Sequence, residues 1–357
     1  MRILVQHPYR PFSHVAGSSC VIPYTSWKLT AYPTRVRLED LFDQEVIDVR
    51  FSFEGPVQEF TVQQNLEKGV VQLFGMSRKG YFRIVFELKS SGIYLSFEKL
   101  PEGEVKITKG SESFVIQEKD QVLLSGKSKY DVSSLAEKLF LGSTKEQDWA
   151  MMRRRCDLAE IFPLWMKVGQ MIPRSIAKND LSGVFALLAS CKQMVDTRQK
   201  NGLIPGFKNL FLAGFHSMLS PRLFDDEYQG IVIEESLGAC PLELLSQGSD
   251  LIRSMFFQES SDSYSFLPCL PSEFACGRFV HIKAQSGDSI DFIWSKKMMR
   301  TVVLRSASSR SVFIEFPSEV KRFRLRKNLT DRGVVIDAGT AVMLEKDQVI
   351  FIDKFEK

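Results

Sequence analysis

The sequence predicts an α+β protein in which a helical segment lies between two β-rich segments. Three observations support this class. Short runs of β-branched and aromatic residues, separated by turn signals, fill residues 1–130. Apolar residues then recur at helical spacing over residues 131–257, and the β pattern returns over residues 258–357. We therefore predict an N-terminal antiparallel β-sandwich domain, a central helical domain and a small C-terminal β-sheet domain with these boundaries.

The first segment contains eight predicted strands, each a short run rich in Val, Ile, Phe and Tyr. Turn signals such as Arg78-Lys79-Gly80 separate them, and this regular spacing is typical of an antiparallel sandwich. The first 45 residues have weaker periodicity, and we predict a short turn of helix there at Leu38–Phe42. The predicted strands are 46–53, 59–62, 70–74, 81–87, 92–97, 104–108, 113–117 and 121–125.

The central segment begins near Ser133, which resembles a helix N-cap. Helical periodicity runs from Asp148 to Gln170, and we expect Pro163 to break or kink this helix because proline lacks the N–H that the helix needs. Further helices are predicted at 181–195, 207–219 and 241–257, the last with a proline in its first turn.

The C-terminal segment opens with Leu267-Pro268-Cys269-Leu270-Pro271, which we expect to be extended because each proline disfavours helix at the residue before it. Gly287-Asp288 is a hairpin signal between the first two strand-like runs after this turn. The predicted strands are 279–284, 289–294, 301–305, 312–316, 320–325, 333–336, 341–344 and 349–352.

The stretch from Ser265 to Arg305 resembles the end of the catalytic chain of the α-L-fucosidase-type inverting glycoside hydrolases and their (α/α)6-barrel relatives, the disaccharide phosphorylases. In that family a proline-containing turn, a glycine-bearing strand, a hairpin and a strand ending in Trp follow the helices. The matching positions here are Leu267, Pro268, Leu270, Pro271, Gly277, Gly287 and Trp294. The resemblance implies the same β–α–β order and a helical toroid.

A complete toroid of this kind has twelve helices, and about 125 residues are too few for twelve helices of ~11–12 residues. We therefore expect an incomplete, toroid-like helical domain. The resulting functional hypothesis is a degenerate, glycoside-hydrolase-like protein that binds carbohydrate or a protein partner without catalysis.

An active inverting glycosidase is the first alternative. Inverting hydrolysis needs two carboxyl groups about 6.5–9.5 Å apart, one as acid and one as base. The richest carboxylate segment, 217–235, lies in a loop region of the kind that carries catalytic groups. Its catalytic candidates are Asp225, Asp226, Glu234 and Glu235.

Candidates for substrate binding combine rings that could stack on a sugar with side chains that could hydrogen bond to one. They are Trp165, His216, Arg222 and Tyr228. An ordinary alternative stays open for each group: the acidic loop is a solvated loop, His216 packs within a helix at 207–219, and Trp165 belongs to the core.

A binder of nucleic acid or another anionic polymer is the second alternative. In residues 320–327, Arg322, Arg324 and Arg326 alternate with Phe323 and Leu325, so a strand would place the three guanidinium groups on one face. Such a face can bind phosphate, but it can also keep a sheet soluble. We favour solubility and do not expect nucleic acid as a partner.

Composition excludes several other classes. The chain has 357 residues, 44% hydrophobic and 25% charged, which is typical of globular proteins, and its net charge of +4 is too small to indicate nucleic-acid binding by itself. The six cysteines and four histidines form no metal-binding motif and no nucleotide-binding glycine loop is present, so we expect no cofactor or metal. We found neither a signal peptide nor ~18 consecutive apolar residues, and we expect a cytoplasmic protein without membrane contact.

Overall fold

A computed structural model describes residues 3–126, 137–174, 182–224, 231 and 239–357, within which the chain forms twenty-five strands and five helices. The strands are β1 (Phe12–Ser13), β2 (Ser18–Val21), β3 (Trp27–Tyr32), β4 (Arg35–Asp40), β5 (Val46–Phe51), β6 (Gln58–Asn65), β7 (Val70–Ser77), β8 (Gly80–Lys89), β9 (Gly92–Lys99), β10 (Val105–Lys109), β11 (Glu112–Ile116), β12 (Gln121–Ser125), β13 (Lys138–Phe140), β14 (Phe215–His216), β15 (Ser220–Pro221), β16 (Phe257–Glu259), β17 (Ser263–Phe266), β18 (Gly277–Lys283), β19 (Ser289–Ser295), β20 (Met298–Arg305), β21 (Arg310–Glu315), β22 (Arg322–Arg326), β23 (Val334–Asp337), β24 (Ala341–Leu344) and β25 (Val349–Glu356). The helices are α1 (Trp149–Arg155), α2 (Leu158–Gly169), α3 (Gly183–Asp196), α4 (Leu203–Gly214) and α5 (Pro241–Phe256).

The N-terminal segment forms two antiparallel six-stranded sheets. Sheet 1 has the order β1-β6-β7-β8-β9-β12, and sheet 2 has the order β11-β10-β5-β4-β3-β2. Burial alternates along the strands, as one-sided packing requires. The ring of Phe51 in sheet 2 lies 6.4 Å from that of Phe97 in sheet 1, and Phe53 stacks on Phe82 at 4.3 Å. Side chains from both sheets therefore contribute to one hydrophobic core.

The helices α2 and α5 pack closely because each presents a glycine to the other. A side chain at Gly169 of α2 would place its Cβ 2.4 Å from the Cβ of Ser249, and one at Gly248 of α5 would come within 2.3 Å of Trp165. No side chain fits either gap, so both positions require glycine. The indole of Trp165 fills the space beside Gly248 and donates to the carbonyl of Leu245 at 3.2 Å.

The C-terminal segment forms a seven-stranded sheet, ordered β13-β18-β19-β20-β25-β22-β23, and a four-stranded sheet, ordered β16-β17-β21-β24. The pair β17–β21 is parallel, and every other pair in these sheets is antiparallel. One strand of the larger sheet, β13, comes from residues that precede the helices and pairs with β18. Buried side chains from both β-rich segments and from the helices join in one continuous cluster.

The predicted α+β class is confirmed at the level of a mixed, strand-rich chain with several antiparallel sheets. Three local predictions are wrong: the helical turn at Leu38–Phe42, the bounds of the helix at 207–219, and the break at Pro163. Leu38–Phe42 is not helical, because Leu38 lies in β4 and pairs with Leu29 of β3. The helix predicted at 207–219 runs from Leu203 to Gly214, where Phe215 turns to extended backbone. The predicted N-cap Ser133 lies outside the described residues.

The third wrong prediction is the break at Pro163. The predicted helix is interrupted at Cys156, whose φ of 46° is left-handed, and it restarts after Asp157, whose carboxylate accepts from the N–H of Ala159 at 3.0 Å. Pro163 itself lies inside α2. The N-cap at Asp157 therefore sets the boundary, because it supplies the acceptor that a new helix start needs.

In the part of the chain that the structure describes, no helix combines the length and the apolar content needed to cross a bilayer.

Candidate functional site

A groove of about 660 Å³ lies on sheet 1, and we call it the sheet groove. It crosses the ends of β1, β6, β7 and β8, four neighbouring strands. Its lining residues are His14, Val57, Glu59, Phe60, Thr61, Phe74, Gly75 and Tyr81.

A row of outward-facing side chains crosses the strands here. Thr61 of β6 pairs with Phe74 of β7, which in turn pairs with Arg83 of β8. Their chain neighbours Leu73 and Phe82 are fully buried on the opposite face. Because successive side chains in a strand alternate between faces, burial of Leu73 and Phe82 in the core fixes the row on the outside.

Two half-buried aromatic rings, those of Phe74 and Tyr81, are held in place by Arg83. The guanidinium carbon of Arg83 lies 5.5 Å from the centroid of Phe74 and 5.8 Å from that of Tyr81. Its Nε donates to the Tyr81 hydroxyl at 3.0 Å, and its Nη1 lies 3.9 Å from a Glu98 carboxylate oxygen. Cation–π contacts of this kind restrict the rings without covering them completely.

Glu59 enters the groove through a β-bulge. The register of β6 against β7 shifts between Gln58 and Thr61, and Glu59 has a left-handed φ of 52°. Bulges redirect a side chain away from the regular pleat, and left-handed backbone at a non-glycine residue costs on the order of 1–3 kcal/mol. The exposed Glu59 carboxylate has no hydrogen bond or ion pair with any described residue.

His14 lies beside this bulge with its tautomer defined by its neighbours. Its Nδ1 is 2.9 Å from Thr61 Oγ1 and 3.3 Å from the Phe60 carbonyl. The Thr61 hydroxyl donates to the Glu59 carbonyl at 3.1 Å, so the arrangement of acceptors around Nδ1 favours the tautomer with the proton on Nδ1. Nε2 of the neutral imidazole is then an acceptor, and it makes no hydrogen bond within the described parts of the chain.

The sheet groove thus combines aromatic surface with free acceptors. Two other concavities lack this combination. One, of about 20 Å³ between His7, Tyr9 and Glu160, has room for little more than a water molecule. The other, of about 530 Å³, lies between the start of α4 and Leu270, and its described lining side chains include Lys200 and Lys297 but no aromatic ring.

The three substrate-binding candidates within the described residues, Trp165, His216 and Arg222, lie outside the sheet groove. Trp165 is fully buried between Phe207 and Phe215, so its ring packs in the core. His216 is exposed in β14, outside the helix in which it was expected. Arg222 donates from Nε to the Ala213 carbonyl and from Nη2 to the Leu212 carbonyl, both at 2.9 Å, and so caps the C-terminus of α4.

The remaining candidates lie outside the described residues. They are Asp225, Asp226, Glu234, Glu235 and Tyr228.

In β22 the predicted alternation is seen only at its start, where Arg322 is exposed and Phe323 is buried, while the next three residues are all half-buried. Each of the three arginines is paired with a carboxylate. Arg322 bonds Asp337 at 2.8 Å, and Arg324 and Arg326 share Asp353 at 2.8 and 2.6 Å. Their positive charge is therefore largely compensated within the sheet.

Asp288, the most deeply buried carboxylate among the described residues, belongs to a structural network. It accepts from the Ala307 N–H at 2.8 Å, the Tyr264 hydroxyl at 2.7 Å and the Arg310 guanidinium at 2.9 Å. Burial alone would raise the pKa of Asp288, but these hydrogen bonds and the Arg310 charge outweigh it and hold the pKa below its usual value. The side chain has no exposed surface, so it cannot meet a ligand.

Sequence reasoning missed the sheet groove. A signal was available in the alternation of β7 and β8, because Phe74 and Tyr81 occupy outward positions next to the buried Leu73 and Phe82. Aromatic residues at outward strand positions indicate a contact surface. The bulge that exposes Glu59 has no comparable signature in the sequence.

No protein-family model matches the chain, and the search of curated proteins found no similar one. Within the described residues, no three His, Cys, Asp or Glu side chains are grouped so that they could hold a metal ion.

Proposed function

We propose that the protein binds carbohydrate in the sheet groove without hydrolysing it. One observation supports this most directly: half-buried rings and unpaired hydrogen-bond acceptors lie side by side in a groove of about 660 Å³. Small-molecule sites typically span ~300–1,000 Å³ and combine an apolar lining with a few fixed polar groups.

The chemistry of a sugar fits these two kinds of surface. One face of a pyranose carries C–H groups that pack on an aromatic ring, which Phe74 and Tyr81 supply. Its rim carries hydroxyl donors, which the Glu59 carboxylate and Nε2 of His14 can accept. The Tyr81 hydroxyl accepts from Arg83 and keeps its own proton to donate to the ligand.

Binding is favoured over hydrolysis because the groove is lined by a single carboxylate, Glu59, among the described residues. Inverting hydrolysis needs a facing pair about 6.5–9.5 Å apart. The loop carboxylates proposed from the sequence, Asp225, Asp226, Glu234 and Glu235, keep the catalytic alternative open as a second proposal.

We also propose the finer architecture that the resemblance implies. The ring contacts between sheets 1 and 2 are consistent with a β-sandwich, and the helices α2 to α5 are consistent with a fragment of an α/α toroid. A degenerate relative of the (α/α)6 glycoside hydrolases would combine these parts. Binding of an anionic polymer by β22 is less favoured, because Asp337 and Asp353 already pair with its arginines.

The test is a glycan array followed by calorimetric titration of the best ligand. The Tyr81→Ala variant should lose about two- to tenfold in affinity, since one ring contact contributes ~0.5–1.5 kcal/mol. Tyr32→Ala is the matched control, because Tyr32 is a tyrosine 40% exposed on sheet 2, outside the groove. Turnover should be absent for every glycan that binds.

Two results would contradict the proposal. The first is the absence of retention on every glycan tested by folded wild-type protein. The second is an equal loss of affinity in the Tyr81→Ala and Tyr32→Ala variants, which would remove the sheet groove as the binding site.

A further inference from the structure

The one charged group among the described lining residues of the sheet groove is a carboxylate, and its free polar atoms are two acceptors and the Tyr81 hydroxyl. Glu59 contributes a carboxylate that pairs with no other described residue, and His14 contributes an acceptor nitrogen. The Phe60 and Glu59 carbonyls are already used by His14 and Thr61. The nearby cation, Arg83, points across the rings of Phe74 and Tyr81, with Glu98 at its outer end.

The negative charge of the sheet groove restricts the chemical class of ligand that it can bind. A carboxylate left without a partner in a site is stabilised by a cation or a strong donor, and repels an anion. A neutral hydroxyl satisfies its hydrogen bonds, while a protonated amine satisfies its hydrogen bonds and its charge. Uronates and sulfated sugars would bring a second anion next to Glu59.

We infer that the sheet groove selects glycans that carry a free amino group, with the ammonium paired to Glu59 and the sugar ring on Phe74 and Tyr81. This inference rests on the proposed carbohydrate binding and specifies its ligand class. The net charge of the chain, +4, strengthens the test, because nonspecific attraction would favour anionic ligands instead.

The experiment compares two oligosaccharides of equal length, glucosamine oligomers and their N-acetylated counterparts, in one low-salt buffer at neutral pH; N-acetylation removes the ammonium charge and adds an acetyl group. The amino form should bind at least about fivefold more tightly, the ratio that one ion contact at ~4 Å gives even in bulk water. The preference should shrink as salt is added.

The Glu59→Gln variant keeps the size of the side chain and removes its charge, so it should bind both oligomers equally. Glu112→Gln is the control, because it makes the same change in net charge on an exposed residue of β11. This variant should keep the full preference.

The outcomes separate the two hypotheses. Binding of both oligomers with equal affinity, or a preference that survives Glu59→Gln, overturns the amino-sugar inference and leaves carbohydrate binding intact. Failure of folded protein to bind either oligomer or any glycan on the array overturns both.

Discussion

The buried network around Asp288 offers a sharp test of how the C-terminal sheets are stabilised. Asp288 has no exposed side-chain surface, and Arg310 is only 19% exposed. Replacing Asp288 by Asn keeps the shape and removes the charge, which leaves the Arg310 guanidinium buried without its counter-ion. Breaking one partner of a buried pair costs ~3–5 kcal/mol. We expect the free energy of unfolding to fall by about 3 kcal/mol, because the amide can keep some of the hydrogen bonds.

The same sheet supplies the matched control. Arg322 and Asp337 form a pair of the same residue types with side chains 60% and 71% exposed, so solvent screens their attraction. Asp337→Asn should therefore cost less than ~1 kcal/mol.

Urea unfolding followed by tryptophan fluorescence measures both changes, since Trp294 lies in β19, the strand that begins just after Asp288. The Asp288→Asn midpoint should fall by about 1 M or more, given slopes of ~1–3 kcal/mol per M. Equal shifts for the two variants would refute the argument, because burial would then have no influence on the strength of the pair.

Three further predictions concern stability. The Gly277→Ala variant should lose on the order of 1–3 kcal/mol in urea unfolding, because the new Cβ would lie 2.2 Å from Trp294 Cζ2; Gly126→Ala, whose nearest neighbour is 3.7 Å away, should change little, and similar values for both would contradict the packing argument. Arg222→Met should lower the thermal midpoint measured by circular dichroism by removing about 1–2 kcal/mol of capping at α4, and an unchanged midpoint would exclude this role. Because the pKa of Asp288 is lowered in the folded state, its contribution is present above the unfolded value of ~3.9 and is lost as pH falls through the folded value. Wild-type urea midpoints should therefore fall more steeply with acid than those of Asp288→Asn; parallel acid profiles would show that another group is responsible.

The strands of residues 46–125 and 277–356 could be predicted because each is a short run of β-branched and aromatic residues bounded by turn signals. The strands β13 to β17 were not predicted, because none of them is longer than four residues. Before residue 46, β1 and β2 carry no alternation, since β2 is buried at all four positions and β1 has only two residues, whereas β3 and β4 alternate and were missed. Pro163 misled the prediction because a proline signal is local, whereas the helix break depends on the cap that Asp157 provides. The end of α4 at Gly214 depends in part on Arg222, which only the folded chain brings to that terminus.

The candidate site was less predictable than the fold. Its rings come from β7 and β8, its acceptors from β6 and the end of β1, and the hydrogen bond that fixes the His14 tautomer joins residues far apart in the sequence. Each of these side chains is unremarkable in its own stretch of sequence. By contrast, the candidates predicted from the sequence, the carboxylate-rich segment 217–235 and Trp165, have features that are visible within a short stretch of sequence.

The pairing of β13 with β18 bears on the order of folding. Leu139 of β13 pairs with Phe279 of β18, and all five described helices lie between these two residues in the sequence. Closing so large a loop is entropically expensive, and contacts of this kind slow the folding of a chain. Before β13 pairs with it, β18 has unpaired backbone N–H and C=O groups along one edge. A nascent or truncated chain would therefore expose a strand edge that can pair with another chain. The pairing of β13 with β18 therefore joins the two ends of the helical segment, and we expect this contact to form late in folding.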